Sequence, residues 1–171
     1  MKKIIPLILF IIIVGFLFFS LSSNPSKLPS PLLGKSFPSI EGKDFYSDKS
    51  IKFASLFDNK MSIVNVWASW CLTCRKEHQM IMNIAKNTDL QLIGINYKDT
   101  QKDGAKYLEI MGNPFDKIIF DPDGKIGMDL GVYATPETFL IDKDGVILYL
   151  SLIHISEPTR PRLISYAVFC L

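Results

Sequence analysis

Cys71-Leu72-Thr73-Cys74 places two thiols two residues apart, and no other residues of the chain are better suited to do chemistry. The residues on either side define their setting. Ile63, Val64, Val66 and Trp67 form an apolar, largely β-branched run of the kind found in a buried strand. Arg75, Lys76, Glu77 and His78 then continue as a polar, helix-compatible run. The pair therefore sits where a strand ends and a helix begins. At a helix N-terminus the unpaired backbone N–H groups and the helix dipole favour an anion, and a thiolate is one. Cys71 is thus the expected nucleophile with a lowered pKa, and Cys74, one turn inside the helix, the buried resolving thiol. Two other readings of the pair stand beside this one. The thiols could be ordinary buried cysteines, or they could form half of a metal site. Zinc needs about four ligands, and the chain offers Cys71, Cys74 and His78 one turn later, with no second cysteine pair. Redox chemistry is the reading adopted, with no metal expected. A copper or zinc chaperone using Cys71, Cys74 and His78 is the rival from another class.

A second constellation, Gly131-Val132-Tyr133-Ala134-Thr135-Pro136-Glu137-Thr138, lies just before an apolar strand signal. Proline cannot donate to a ladder, so Pro136 marks a turn or a cis bond. A cis bond packed beside the cysteines would leave backbone groups free to pair with an extended substrate. Spacing alone favours the plainer reading, a trans proline that starts a strand. Trp67, Trp70 and the Tyr133–Pro136 segment, including Thr135, are expected to frame the substrate groove.

The elements that must position these residues follow from periodicity. Met61–Ala68 reads as a strand buried on both faces, hence central in its sheet. The helix after it carries Cys74, His78, Ile81 and Ala85 along one face and ends at Asn87 or Asp89. Leu90–Tyr97 is the next strand, Thr100–Met111 an amphipathic helix stopped by Gly112, and Ile118–Phe120 a short strand. Asp121-Pro122-Asp123-Gly124 is a turn, since the other ligand positions of a calcium loop are absent. A short helix is expected over Ile126–Leu130. Thr138–Asp142 and Val146–Tyr149 are strands joined through Lys143-Asp144-Gly145. Upstream, Asp44–Ser47 is expected as a short strand, and Ile51–Phe57 is ambiguous. Alternating strands and helices followed by a hairpin argue for a mixed sheet with helices on its faces, the first two strands parallel through a right-handed crossover.

The 171 residues have room for one domain, 32–149. A net charge of +2 argues against an electrostatic nucleic-acid binder. One vicinal pair and a stray Cys170 do not make a disulfide framework. The 48% hydrophobic content is inflated by the N-terminus. After Met1-Lys2-Lys3, an apolar run from Ile4 to Leu21 has about the length of a bilayer crossing, which defines residues 1–21 as an uncleaved signal anchor. Ser20-Leu21-Ser22 would be the alternative cleavage site. Lys2 and Lys3 keep the N-terminus in the cytoplasm and place the remainder outside. Ser22–Pro31 is a Ser/Pro linker that gives the domain reach from the membrane.

Trp-x-x-Trp-Cys-x-x-Cys with a Thr-Pro far downstream resembles the thioredoxin fold. Three segments narrow the resemblance: Asn-Val-Trp-Ala-Ser-Trp-Cys-Leu-Thr-Cys-Arg-Lys-Glu-His (65–78), Gly-Ile-Asn-Tyr-Lys-Asp (94–99) and Asp-Leu-Gly-Val-Tyr-Ala-Thr-Pro-Glu-Thr-Phe-Leu-Ile-Asp (129–142). Together they are similar to the DsbE/CcmG family of membrane-tethered thiol:disulfide interchange proteins of cytochrome c biogenesis. The resemblance covers Leu28–Tyr149. It implies an α/β thioredoxin fold, a cis Pro136, and a redox-active Cys71–Cys74 disulfide in place of any external cofactor. It also implies a periplasmic domain tethered to the bacterial inner membrane. Electrons would come from a DsbD/CcdA-like membrane donor and pass to apocytochrome c or to the thiols of a haem-ligation partner. A reductase of another extracytoplasmic client, similar to TlpA, is the alternative within the class. Two departures stand out. Leu72-Thr73 replaces the proline usual between the cysteines, and Asn65 stands where general thioredoxins bury a carboxylate. An amide cannot shuttle a proton, so Glu77 and Glu137 become the candidates for proton transfer to Cys74.

Leu150–Leu171 has no pattern suited to this fold. It resembles a read-through translation of a sequencing-library adapter, so Cys170 and His154 carry no weight. On this reading a C-terminal helix is missing and one face of the sheet loses its cover.

Overall fold

The computed structural model describes residues 5–22, 32–57 and 59–152, without the side chains of 5–8, 19–22, 54, 151 and 152. Its centre is a seven-stranded sheet in the order β2-β1-β5-β4-β3-β6-β7. These strands are β1 (Glu41–Asp44), β2 (Ser50–Lys52), β3 (Ser62–Trp67), β4 (Gln91–Tyr97), β5 (Lys117–Asp121), β6 (Glu137–Ile141) and β7 (Ile147–Leu152). β3, β4 and β5 run parallel, and every other pairing is antiparallel. The thioredoxin-like mixed sheet expected from the sequence is present. All six residues of β3 are buried, because β4 and β6 flank it and both of its faces are covered.

Helices α2 (Leu72–Asn87) and α3 (Gln101–Met111) cover one face. Their core holds Phe45, Ile63, Trp67, Leu92, Tyr107, Leu108 and Phe115 around the two cysteines. Trp67 lies stacked between Tyr107 and Phe115, at ring separations of 5.3 and 5.7 Å. Gly94 of β4 makes room for that indole, since a Cβ there would lie 2.8 Å from Trp67 Nε1. The opposite face packs Val64, Val66, Ile93, Ile95, Phe139 and Ile141 beneath Phe37, Ile40, Phe53 and Leu56. Phe37 stacks on Phe53 and meets Phe139 edge-on. The short helix α4 (Lys125–Asp129) and the loop after it add Ile126, Leu130 and Val132 to this face.

Several boundaries differ from the sequence reading. The expected strand Asp44–Ser47 is a turn that begins at Asp44, whose Oδ1 accepts from the N–H groups of Tyr46 and Ser47. The strand itself lies one step earlier, as β1. Ile51–Phe57 divides into β2 and a 3-10 turn over Phe53–Ser55. β7 continues through Leu150, Ser151 and Leu152, which pair with Phe139, Thr138 and Glu137. The first residues of the supposedly alien tail thus extend an edge strand, where backbone pairing demands little of the side chains. Phe37, Phe53 and Phe57 cover the sheet face opposite α2. The rest of the tail, with His154 and Cys170, falls outside the described residues, as does most of the Ser/Pro linker.

α1 (Ile5–Ser22) follows the apolar N-terminal run. Every residue of 9–18 is exposed, including Phe10, Phe16 and Phe18. Among the described residues, no helix is long and apolar enough to cross a membrane.

Candidate functional site

The strand-to-helix junction expected around the cysteines is present. β3 ends at Trp67, and α2 begins at Leu72 with Cys71 as its N-cap, in extended backbone. Cys71 and Cys74 are joined as a disulfide, with their Cα atoms 5.3 Å apart. Cys74 N–H points at Cys71 Sγ from 3.0 Å, the contact that a capping side chain makes. On reduction the same N–H and helix terminus face a sulfur that can carry charge. The first turn of α2 holds no acidic side chain to oppose that charge. Both cysteines are largely buried, at 4% and 5% exposure. Their neighbours Trp70 and Leu72 are exposed at 58% and 69%, so the pair is reached through an apolar collar.

The second constellation closes on the first. Thr135–Pro136 is a cis peptide bond, as the family resemblance implies and against the plainer reading from spacing. Thr135 O lies 3.5 Å from Cys71 Sγ. Tyr133 is 86% exposed on the approach to this contact. Trp67 departs from expectation. It is 2% exposed, so it lines no surface groove and instead forms part of the core below the site.

The two candidate carboxyls separate. Glu77 is 3% exposed and shares a cavity of about 10 Å³ with Asn65, Cys74, His78 and Pro136. That volume is near the minimum for one water molecule. Asn65 is held there by donating from Nδ2 to Thr138 Oγ1 over 2.9 Å. Glu137 shares its strand face with Phe139 and Ile141, opposite α2, because strand side chains alternate. Its Oε1 accepts from Tyr133 N–H and Ala134 N–H, and its Oε2 is buried without a partner. Burial pushes its carboxyl above the ordinary carboxylate range, and the two N–H groups oppose that shift only in part. Glu137 is therefore placed to hold the 133–135 loop rather than to serve Cys74.

His78 is committed to the fold. Nε2 lies 3.0 Å from Gly112 O and Nδ1 3.0 Å from Tyr107 Oη. A carbonyl can only accept, so Nε2 carries the proton and the Tyr107 hydroxyl donates to Nδ1. Burial lowers the imidazole's affinity for a second proton, while it pushes the Tyr107 hydroxyl up to about 12. Both ring nitrogens of His78 are thus engaged within the fold, and both thiols lie in one disulfide. Among the described residues, no three His, Cys, Asp or Glu side chains cluster as a metal site.

Sequence reasoning missed one part of the site. Ser69 and Trp70 are fastened to Lys98-Asp99-Thr100 at the end of β4. Ser69 N–H donates to Asp99 Oδ2 over 2.6 Å, and Ser69 Oγ to Asp99 Oδ1 over 2.8 Å. Trp70 Nε1 donates to Lys98 O over 2.8 Å. Arg75 reaches back with Nε and Nη2 to Ser69 O. The Asn-Tyr-Lys-Asp run was the available signal, but nothing local shows that it meets a loop 30 residues away.

Comparison with known proteins agrees with this geometry. The redoxin family matches residues 32–163. The thiol:disulfide interchange protein DsbE of Vibrio cholerae is 41% identical over 155 residues, covering 86% of this chain and 84% of its own length. DsbE of Escherichia coli K12 is 40% identical, covering 85% and 82%. The crystal structure of a DsbE-type protein from Chlorobium tepidum superposes with a TM-score of 0.67 at 24% identity, covering 81% of this chain and 96% of that one. A secreted disulfide oxidoreductase of Mycobacterium tuberculosis gives 0.64 at 19% identity, covering 78% and 96%. The chain belongs to the DsbE family of thiol:disulfide interchange proteins within the redoxins, a thiol–disulfide oxidoreductase that works through a redox-active cysteine pair and no external cofactor.

Proposed function

We propose that the protein is a membrane-anchored, extracytoplasmic reductase of disulfides during cytochrome c maturation. Cys71 thiolate attacks one sulfur of a client disulfide, forms a mixed disulfide and releases the other sulfur as a thiolate that takes up a proton. Cys74, losing its proton, attacks Cys71 Sγ. The client leaves as a dithiol, and Cys71–Cys74 is oxidised by the two electrons transferred. Glu77, in the cavity with Cys74, is the group that accepts the Cys74 proton. The backbone at Thr135–Pro136, which faces Cys71 Sγ, receives the client strand, with Trp70 and Tyr133 exposed nearby. The observation that carries this reading is the cap contact, Cys74 N–H to Cys71 Sγ at 3.0 Å, with Thr135 O 3.5 Å away.

The oxidised pair must be reduced again by a thiol donor, here a membrane protein of the DsbD/CcdA kind. Apocytochrome c and the thiols of a haem-ligation partner are the clients. The anchor rests on α1. A helix apolar on all sides and exposed along 9–18 is poorly matched to water and well matched to lipid. Lys2 and Lys3 orient the domain to the periplasm.

The test is trapping in cells that make c-type cytochromes. Cys74→Ser is expected to accumulate mixed disulfides with apocytochrome c or a haem-ligation protein, whereas Cys71→Ser loses turnover. Mixed disulfides only with unrelated extracytoplasmic proteins would replace this client class with another. A Cys71→Ser variant of full activity would overturn the mechanism.

A further inference from the structure

The Asn-Tyr-Lys-Asp run has no part in the exchange mechanism above, yet its aspartate is among the most heavily hydrogen-bonded side chains near the site. Asp99 is 9% exposed. Its Oδ2 accepts from Ser69 N–H and from Asn96 Nδ2, at 2.6 and 2.9 Å. Its Oδ1 accepts from Ser69 Oγ and from Thr100 N–H, both at 2.8 Å. Two of these four bonds reach across the fold to one residue, Ser69, two positions before the N-cap sulfur. The third polar group of Ser69, its carbonyl, is taken by Arg75 from the first turn of α2. Trp70, next in the chain, is tied to Lys98 O. Every hydrogen-bonding group of Ser69 is thus committed, and its N–H and hydroxyl both depend on one carboxylate.

We propose that Asp99 is a positioning residue for the thiol pair: by fixing Ser69 it sets how Cys71 Sγ faces the α2 N-terminus, and so how reactive and how reducing the pair is. The inference rests on the reading of Cys71 as the nucleophile. The physical link is short. Cys71 N–H donates to Ala68 O, so the turn that delivers the N-cap spans Ser69 and Trp70. If the turn is loosened, the sulfur no longer sits in line with Cys74 N–H, the contact that favours its charged form.

Asp99→Asn breaks the arrangement in a defined way. The amide keeps one acceptor oxygen and turns an NH2 group toward two former donors. The Ser69 hydroxyl can rotate to accept, and Asn96 can flip to present Oδ1, which has no partner as it stands. Neither adjustment helps a backbone N–H. Whichever way the amide lies, either Ser69 N–H or Thr100 N–H faces it without an acceptor.

The experiment compares reduced wild type, Asp99→Asn, Ser69→Ala and Asp121→Asn. Asp121 is the control, because it is also buried and also accepts two backbone N–H groups, those of Ile126 and Gly127, but at the start of α4. Two quantities are read: the alkylation rate of Cys71 against pH, and the equilibrium constant of the pair with glutathione. Asp99→Asn is expected to slow alkylation at pH 7 about tenfold and move its midpoint toward that of free cysteine, near 8.5. It is also expected to shift the glutathione constant about tenfold. Ser69→Ala, which removes only the hydroxyl donor, should move both in the same direction by about threefold. Asp121→Asn should lower the melting temperature while leaving both within about twofold of wild type. The proposal is overturned if Asp99→Asn lowers melting temperature but leaves both quantities within twofold. It is equally overturned if Asp99→Asn fails to fold and Ser69→Ala matches wild type. A wild-type Cys71 that already alkylates like free cysteine would instead remove the proposed mechanism, before any variant is compared.

Discussion

A sulfur at a helix N-terminus is the residue-scale feature on which the chemistry turns. Cys71 offers the end of α2 a side chain that can carry charge where backbone N–H groups lack partners. Its spacing to Cys74 made this legible from sequence, because strand-to-helix periodicity changes at the pair. Glu137 was legible only in part. Its position beside Pro136 singled it out, but strand alternation, which depends on register, turns it away from α2. Its raised pKa gives a prediction. Ionising a buried acid costs stability, so Glu137 contributes most below its ordinary value of 4.5, and that contribution is lost as pH rises through the folded-state value. In Glu137→Gln the amide oxygen can still accept from Tyr133 and Ala134, without the cost of ionisation. Melting curves from pH 4 to 8 should show the variant gaining on wild type as pH rises; parallel curves would refute this.

At the scale of elements, β3 and α2 were clear in the sequence because each carries a strong periodic signal. The elements over residues 37–57 were not. Phe37, Phe53 and Phe57 lie in short, irregular pieces whose only order is the face they cover, and no period of 2 or 3.6 marks such a cover. The trans reading of Thr135–Pro136 failed for a similar reason. Local sequence sets the intrinsic preference, and tertiary packing beside Cys71 decides the outcome. The stack of Tyr107, Trp67 and Phe115 also depends on an unmarked residue. In Gly94→Ala the new methyl would press on Trp67 Nε1 at 2.8 Å and on Phe115 at 3.0 Å, both ring atoms in a packed core. A loss of about 1–3 kcal/mol in chemical denaturation is expected from such overpacking. A variant as stable as wild type would mean that the rings shift freely.

For the whole molecule, the division of labour we propose is between a folded redox domain and an apolar N-terminal helix that tethers it. Within residues 32–152 the sheet carries α2 and α3 on one face and the phenylalanine cover on the other, with Leu148 of edge strand β7 exposed. A chain shortened to 32–152 is therefore expected to remain folded and to reduce insulin disulfides at about the wild-type rate. The full chain should sediment with membranes and resist extraction by carbonate. Release of the full chain by carbonate would argue against an anchor, and an inactive shortened domain would show that the N-terminal region does more than tether.

The exchange chemistry depends on the ionisation of Cys71 in the reduced protein. The direct measurement is its rate of alkylation by iodoacetamide from pH 4 to 10, with Cys74 and Cys170 replaced by serine so that Cys71 alone reports. A midpoint at least one unit below the 8.5 of free cysteine is predicted, as expected for a thiolate held at the α2 N-terminus. A midpoint at 8.5 or above would contradict the account.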